Sequence, residues 1–254
     1  MTNHVKKIFF AFAIFIFFIY FFNSHHRIII NDDLEVVISR YNEDVNWIKE
    51  FFPREKVTIY NKGKKDIESK DNIKVIEIEN VGRESHTYLY HIVKNYENLK
   101  KYVVFLQGNP FDHNGQYFLA QIKSRKIKKN SHFKSIIGFN KKKRKFKEMV
   151  KESSVNLSKN HLKNTKWKNT DFSKDYDDIV GFMRYHNIPM LDPKETMLIN
   201  WGAQFIVESE TIKNKPVAFY EKILSSVSRS VAPIEGHYLE RLWDLVFLGE
   251  KSES

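Results

Sequence analysis

Leu34-Glu-Val-Val-Ile-Ser-Arg40 is a short β-branched run suited to a buried strand, and it is the first of four such runs. Glu43 to Phe52 follows with Val45, Ile48, Phe51 and Phe52 at helical spacing, and Pro53 ends it. Lys56-Val-Thr-Ile-Tyr60 is a second strand, stopped by Asn61-Lys62-Gly63, and Ile73 to Ile78 is a third. Gly82-Arg83-Glu84 then opens a helix whose Tyr88, Leu89, Ile92, Val93, Tyr96 and Leu99 share one face. Tyr102-Val-Val-Phe-Leu106 is the fourth strand, and its unbroken apolar character suits a sheet covered on both faces.

Strands alternating with helices give an α/β fold with a mostly parallel sheet and helices on both faces. Ligands of such sheets bind outside the carboxyl ends of the strands. Those ends carry Arg40-Tyr41-Asn42, Asn61-Lys62-Gly63, Asn80 to Glu84, and Gln107-Gly-Asn-Pro-Phe-Asp-His113. All four are polar, turn-forming and able to hold phosphate, metal or hydroxyl groups.

Further along, the residues from Asn114 to about Asp175 show almost no apolar periodicity, and the spacing predicts an insertion or loop. Trp201-Gly-Ala-Gln-Phe-Ile-Val207 is another expected strand. Pro216 starts a helix with Phe219, Tyr220, Ile223, Leu224 and Val227 inward, and Tyr238 to Leu248 is the last helix.

The net charge of +11 is local: Lys123 to Lys151 holds thirteen Lys/Arg and one acid, a balance of +12, which leaves −1 for all other residues. No RNP, zinc-finger or helix-turn-helix pattern accompanies that run, so the sequence speaks against nucleic acid as a partner. A solvated loop or an anionic membrane surface is the remaining reading. Cysteine is absent, which excludes disulfides, thiolate metal sites and a cysteine nucleophile. The P-loop, dinucleotide, nucleophile-elbow and zincin motifs are also missing.

Before the first strand, residues 8–22 form an unbroken apolar run of fifteen residues, eight of them Phe. As a helix it rises about 22 Å, and Lys6 and Lys7 at one end and the turn through Ser24 at the other extend its reach toward the roughly 30 Å of a bilayer core. A cleaved signal peptide is the rival reading, but the residues after the run are bulky rather than small. The expected organisation is a tail at 1–7, a transmembrane signal-anchor at 8–24 and one α/β domain at 32–250 with a basic insertion at about 120–175. The expected location is a single-pass, type II membrane protein with its domain in the lumen of the endoplasmic reticulum or Golgi.

Several residues are candidates for chemistry. Asp112 and His113, just beyond a buried strand, could hold a divalent ion or act as acid and base, or form a plain turn. Gly82 and Arg83 at a helix start offer N–H groups and a guanidinium to a diphosphate, or form a glycine turn. Arg40 could pair with a phosphate or with Glu43 or Asp44. Trp201 could shape an acceptor pocket or begin a buried strand. His237 and Glu240 are a ligand and a base, or a cap and a surface charge; Arg241 beside Trp243 reads as packing.

Taken together, Ser39-Arg40-Tyr41, Tyr60-Asn61, Gly82-Arg83-Glu84, Phe105 to Gly108, Trp201 to Phe205, Phe219-Tyr220 and Glu240 to Trp243 resemble the domain of unknown function 3431 family. Its layout is similar to nucleotide-sugar glycosyltransferases of the GT-A type. That resemblance implies transfer of a sugar from a nucleotide sugar to a glycan or protein acceptor. It implies donor contacts at Arg40, Asn61, Gly82, Arg83 and Trp201, and Mn²⁺ or Mg²⁺ held by Asp112 with His113 or His237. It also implies a catalytic role for Asp112 and for Glu240 as the acceptor base. The D-x-D acid motif of such enzymes is replaced here by Gln107-Gly108-Asn109. A non-catalytic carbohydrate- or partner-binding module of the same fold is the alternative.

Overall fold

The computed structural model describes residues 27–29, 33–113, 115–124, 126–128 and 136–248. The expected anchor at 8–24 lies outside the described residues. Among those that are described, no helix is long and apolar enough to cross a membrane.

The chain begins with strands β1 (Arg27–Ile29) and β2 (Leu34–Arg40), helix α1 (Ile48–Phe51), strands β3 (Lys56–Asn61) and β4 (Ile73–Glu77), and helix α2 (Arg83–Asn95). Strand β5 (Tyr102–Gln107), helix α3 (Gly115–Lys123), and strands β6 (Lys126–Lys128) and β7 (Ile136–Lys145) follow. Helices α4 (Phe146–Asn156), α5 (Lys159–Leu162) and α6 (Ile179–Tyr185) then lead to the long strand β8 (Thr196–Glu208). Helices α7 (Ser209–Lys213), α8 (Val217–Val227) and α9 (Ile234–Val246) complete the domain.

Six strands form the main sheet in the order β4-β3-β2-β5-β8-β7, and β1 pairs with β6 in a separate ribbon. The first four in that order are parallel, and β8 and β7 add antiparallel. The continuous apolar strands divide by alternation. Val36, Ile38, Val104 and Leu106 join Ile48, Phe118 and Leu119 on one face; Val37, Val103 and Phe105 join Tyr88, Leu89, Leu239 and Trp243 on the other. Helices therefore cover both faces, as the sequence predicts.

Two expectations change. The helix expected over Glu43–Phe52 is only the single turn Ile48–Phe51, because the Asp44 carboxylate takes the Asn46 N–H at 2.9 Å and folds its first half into a turn. The stretch expected to lack periodic structure contains α3, β7, α4 and α5. Its lysines obscure an edge strand: Lys142 and Arg144 point to Glu152 of α4 at 3.0 and 3.2 Å. An edge lined with cations discourages addition of another strand.

Strand β8 carries a break at Gly202. Gly202 and Ala203 have φ of +85° and +49°, and the ladder to β7 slips between Gly138 and Asn140. This bulge takes the Gly202 N–H out of the sheet.

Candidate functional site

The carboxyl ends of β2, β3 and β5 lie side by side, with Arg40 opposite Asn61 and Ser39 opposite Gln107. Register thus sets Arg40 beside Asn61, whose side-chain oxygen accepts from Arg40 Nη1 at 2.8 Å. Arg40 also donates to the Glu43 and Lys64 carbonyls and pairs with Asp66 at 2.8 Å. It lines the rim but is only 3% exposed. Asn61 is buried and donates on to Glu77 and the Lys64 carbonyl. These two residues build the rim from behind.

Above them, Gly82 and Arg83 both occupy the left-handed region, at φ +60° and +52°. A Cβ on Gly82 would lie 2.3 Å from the Val227 carbonyl oxygen, so glycine is required there. The Gly82 N–H donates to Ser230, and the Lys62 ammonium donates to the carbonyls of Val81 and Arg83, clamping the turn. Burial pushes Lys62 down to about 7, with Glu84 opposing that fall. Burial raises Glu84, and Glu240 adds to the rise while Arg83 and Lys62 counter it. A residue held in a sparsely populated conformation at a concave rim marks it as a place to look for function.

Helix α9 supplies the opposite wall, because His237, Glu240 and Arg241 are three and four residues apart and share one face. Glu240 Oε1 accepts the N–H that the β8 bulge releases at Gly202, at 3.0 Å. His237 Nε2 lies 3.4 Å from Arg83 Nη1, and the His237 carbonyl accepts from Arg241 at 2.7 Å. Burial, then Arg83 and Arg241, push His237 down to about 3, so it is neutral at ordinary pH. Two indoles close the sides: the Arg83 guanidinium lies 4.1 Å over Trp167, and that of Arg241 4.7 Å over Trp201.

These groups enclose a cleft of about 1040 Å³, which Lys62, Glu84, Gln107, Asn109, Lys166 and His161 also line. It presents five basic side chains (Arg40, Lys62, Arg83, Lys166 and Arg241), three acidic ones (Glu43, Glu84 and Glu240) and two indoles in one space. Such a lining can neutralise a phosphate-bearing ligand, stack a planar ring and accept a proton.

Of the sequence-predicted residues, Arg40, Arg83, Trp201, His237 and Glu240 meet in this cleft, although they come from four separate elements of the fold, β2, α2, β8 and α9. Asn61 and Gly82 support it from behind. The backbone of Asp112 and His113 lies in a single turn after β5, Pro110–His113, and their side chains fall outside the described residues. Phe111 in that turn packs on Trp47, toward the other face of the sheet. Sequence reasoning passed over Lys166 and Trp167, placed Lys62 only within a polar strand end, and read Arg241 as packing. The lone tryptophan within Lys166-Trp167-Lys168 was the available signal.

The divalent ion that the GT-A resemblance implies does not fit what surrounds His237. Two guanidinium groups flank its ring, and a dication there would be repelled. No group of three His, Asp or Glu suited to a metal occurs among the described residues.

In comparison with known proteins, the model of a family described as protein of unknown function (DUF3431) matches residues 36–254. No curated protein and no solved structure matches the chain.

Proposed function

The chain belongs to the DUF3431 family, and from that footing we propose that its cleft binds a nucleotide sugar and transfers the sugar to an acceptor hydroxyl. One observation carries the proposal: Lys62, Arg83, Lys166 and Arg241 surround a single cleft with Trp167, Trp201 and the Glu240 carboxylate, at the carboxyl ends of the parallel strands. A nucleoside diphosphate needs cations for its phosphates and a flat apolar face for its base, and both lie within this space.

In the reaction, the acceptor oxygen bonds to the anomeric carbon as the bond from that carbon to the diphosphate breaks. The acceptor proton passes to Glu240, whose carboxylate is fixed by the Gly202 N–H and by Arg241, 3.7 Å away. Negative charge grows on the departing diphosphate, and Arg83, Lys62 and Lys166 stabilise it. The protein side chains perform in this scheme the neutralisation that the resemblance assigns to Mn²⁺ or Mg²⁺. We further infer a membrane anchor at 8–24 that holds the domain in the lumen of the endoplasmic reticulum or Golgi.

Titration of the full chain in detergent with UDP-, GDP- and CMP-sugars, with and without Mn²⁺, tests this. At least one donor should bind, and chelator should leave its affinity within about twofold, since charged side chains carry the phosphate contacts. No binding and no donor hydrolysis with any of them would end the transfer reading.

A further inference from the structure

Beyond the Arg83–Trp167 pair lies a second basin of about 410 Å³. It shares Tyr41, Asn80, Arg83, Lys166 and Trp167 with the main cleft, so the two are continuous and the stacked pair stands between them. Asn169, Thr170 and Val231 line its far side.

We infer that this basin is a saccharide-binding subsite, in which a glycan acceptor lies on Tyr41 beside the Arg83–Trp167 pair, with its reactive hydroxyl toward the main cleft. The inference rests on the transfer reading above for the word acceptor, but its binding chemistry is independent of it. Tyr41 is 51% exposed and Val231 57% exposed, so apolar surface faces the basin that folding leaves in water. Among the described residues, the amides of Asn80 and Asn169 make no side-chain hydrogen bond within the protein, while the Thr170 hydroxyl donates to the Trp167 carbonyl at 2.7 Å and keeps its lone pairs. No carboxylate lines the basin, and its two cations already lie over the Trp167 ring, at 4.1 Å for Arg83 and 4.7 Å for Lys166. The exposed Tyr41 ring and Val231 for C–H groups, with amides and a hydroxyl for O–H groups, match a pyranose. The volume falls in the usual range for small-ligand sites, about 300–1,000 Å³.

The basin is tested with chitobiose, lactose, maltose and mannobiose, each titrated into the full chain and followed by tryptophan fluorescence and saturation-transfer NMR. UDP and GDP are titrated in parallel. At least one disaccharide should bind. Val231→Glu, at an exposed position, should weaken it about tenfold or more, and Asn169→Ala about fivefold, the scale of one lost polar or packed contact. Asn169→Ala leaves the main cleft and its charges unchanged, so with that variant the affinity for the nucleoside diphosphate should change less than about twofold. Failure of every disaccharide to bind, or undiminished binding by Val231→Glu, overturns the subsite. Saccharide binding without any nucleotide binding would keep the subsite and overturn the donor reading instead.

Discussion

Arg83 holds φ at +52°, a conformation that costs a non-glycine residue about 1–2 kcal/mol. The chain tolerates that strain where glycine already precedes it and where the side chain reaches both Trp167 and His237. If the arginine is there for a ligand, Arg83→Gly separates function from stability. Relief of the strained backbone offsets the lost stacking, so unfolding free energy should change by less than about 1 kcal/mol. Nucleotide affinity should fall about 30-fold or more, the scale of a lost charge-assisted contact. Calorimetry of binding beside urea unfolding reads both, and a variant that binds as wild type does would remove Arg83 from the site. Glu240 is tested differently: Glu240→Gln retains an oxygen for the Gly202 N–H but accepts a proton poorly. It should leave donor KM within about threefold and lower kcat by about 10²–10⁴. Equal losses in both would mark it as a donor contact rather than a base.

The elements show which parts of this structure the sequence discloses. Strands β2 to β5 and helix α2 are legible because each carries its own periodicity, and because each carboxyl end breaks into polar turn residues. The meeting of Arg83 with His237 and Glu240 is not legible, since it depends on how α9 crosses the sheet. Helix α9 itself starts at Ile234, one turn before the expected Tyr238, because Pro233 holds the extended conformation that launches it and Gly236 does not interrupt it. Strand β7 is hidden for another reason: an edge strand needs few apolar residues, and its run of lysines reads as a solvated loop. Likewise the β8 bulge at Gly202 looks like an ordinary strand position until its N–H is found on Glu240. The joint between α2 and α8 gives a sharp test of this scale. At Gly82 an added Cβ meets the Val227 carbonyl at 2.3 Å and His86 Cβ at 2.6 Å, and φ is +60° besides. Gly82→Ala should therefore destabilise the domain by about 2–4 kcal/mol, combining left-handed strain with overpacking against backbone. A urea midpoint within error of wild type would show that α8 can step aside freely.

At the scale of the whole molecule, the two faces of the sheet differ in their response to acid. Helices α2, α6 and α9 bring His86, His186 and His237 into the layer that carries the cleft. Burial holds His86 and His186 down at about 4 and His237 at about 3, with nearby Lys62, Lys222 and the two arginines deepening the respective shifts. Because these folded values lie below the ordinary 6.5, the unfolded chain binds more protons between pH 6.5 and about 4. Stability must then fall as pH falls through that window, by about 1–2 kcal/mol per histidine at pH 5. Glu35, held near 2 against its own burial by His91, Lys100 and Lys56, adds a loss only below its ordinary 4.5, while Glu84, raised by burial, gains stability as pH falls toward 4.5 and offsets part of the histidines' loss. Urea unfolding at pH 7.5 and at pH 5.0 should differ by several kcal/mol, and His186→Phe should narrow that difference. His186 is suited to the test because its ring already packs against Phe182 and meets only Ser226 Oγ, at 3.1 Å, by hydrogen bond. Equal stability at the two pH values would mean that water reaches these imidazoles. The layer would then be looser than its packing implies, and the cleft it shapes would lose the dry walls on which its electrostatics depend.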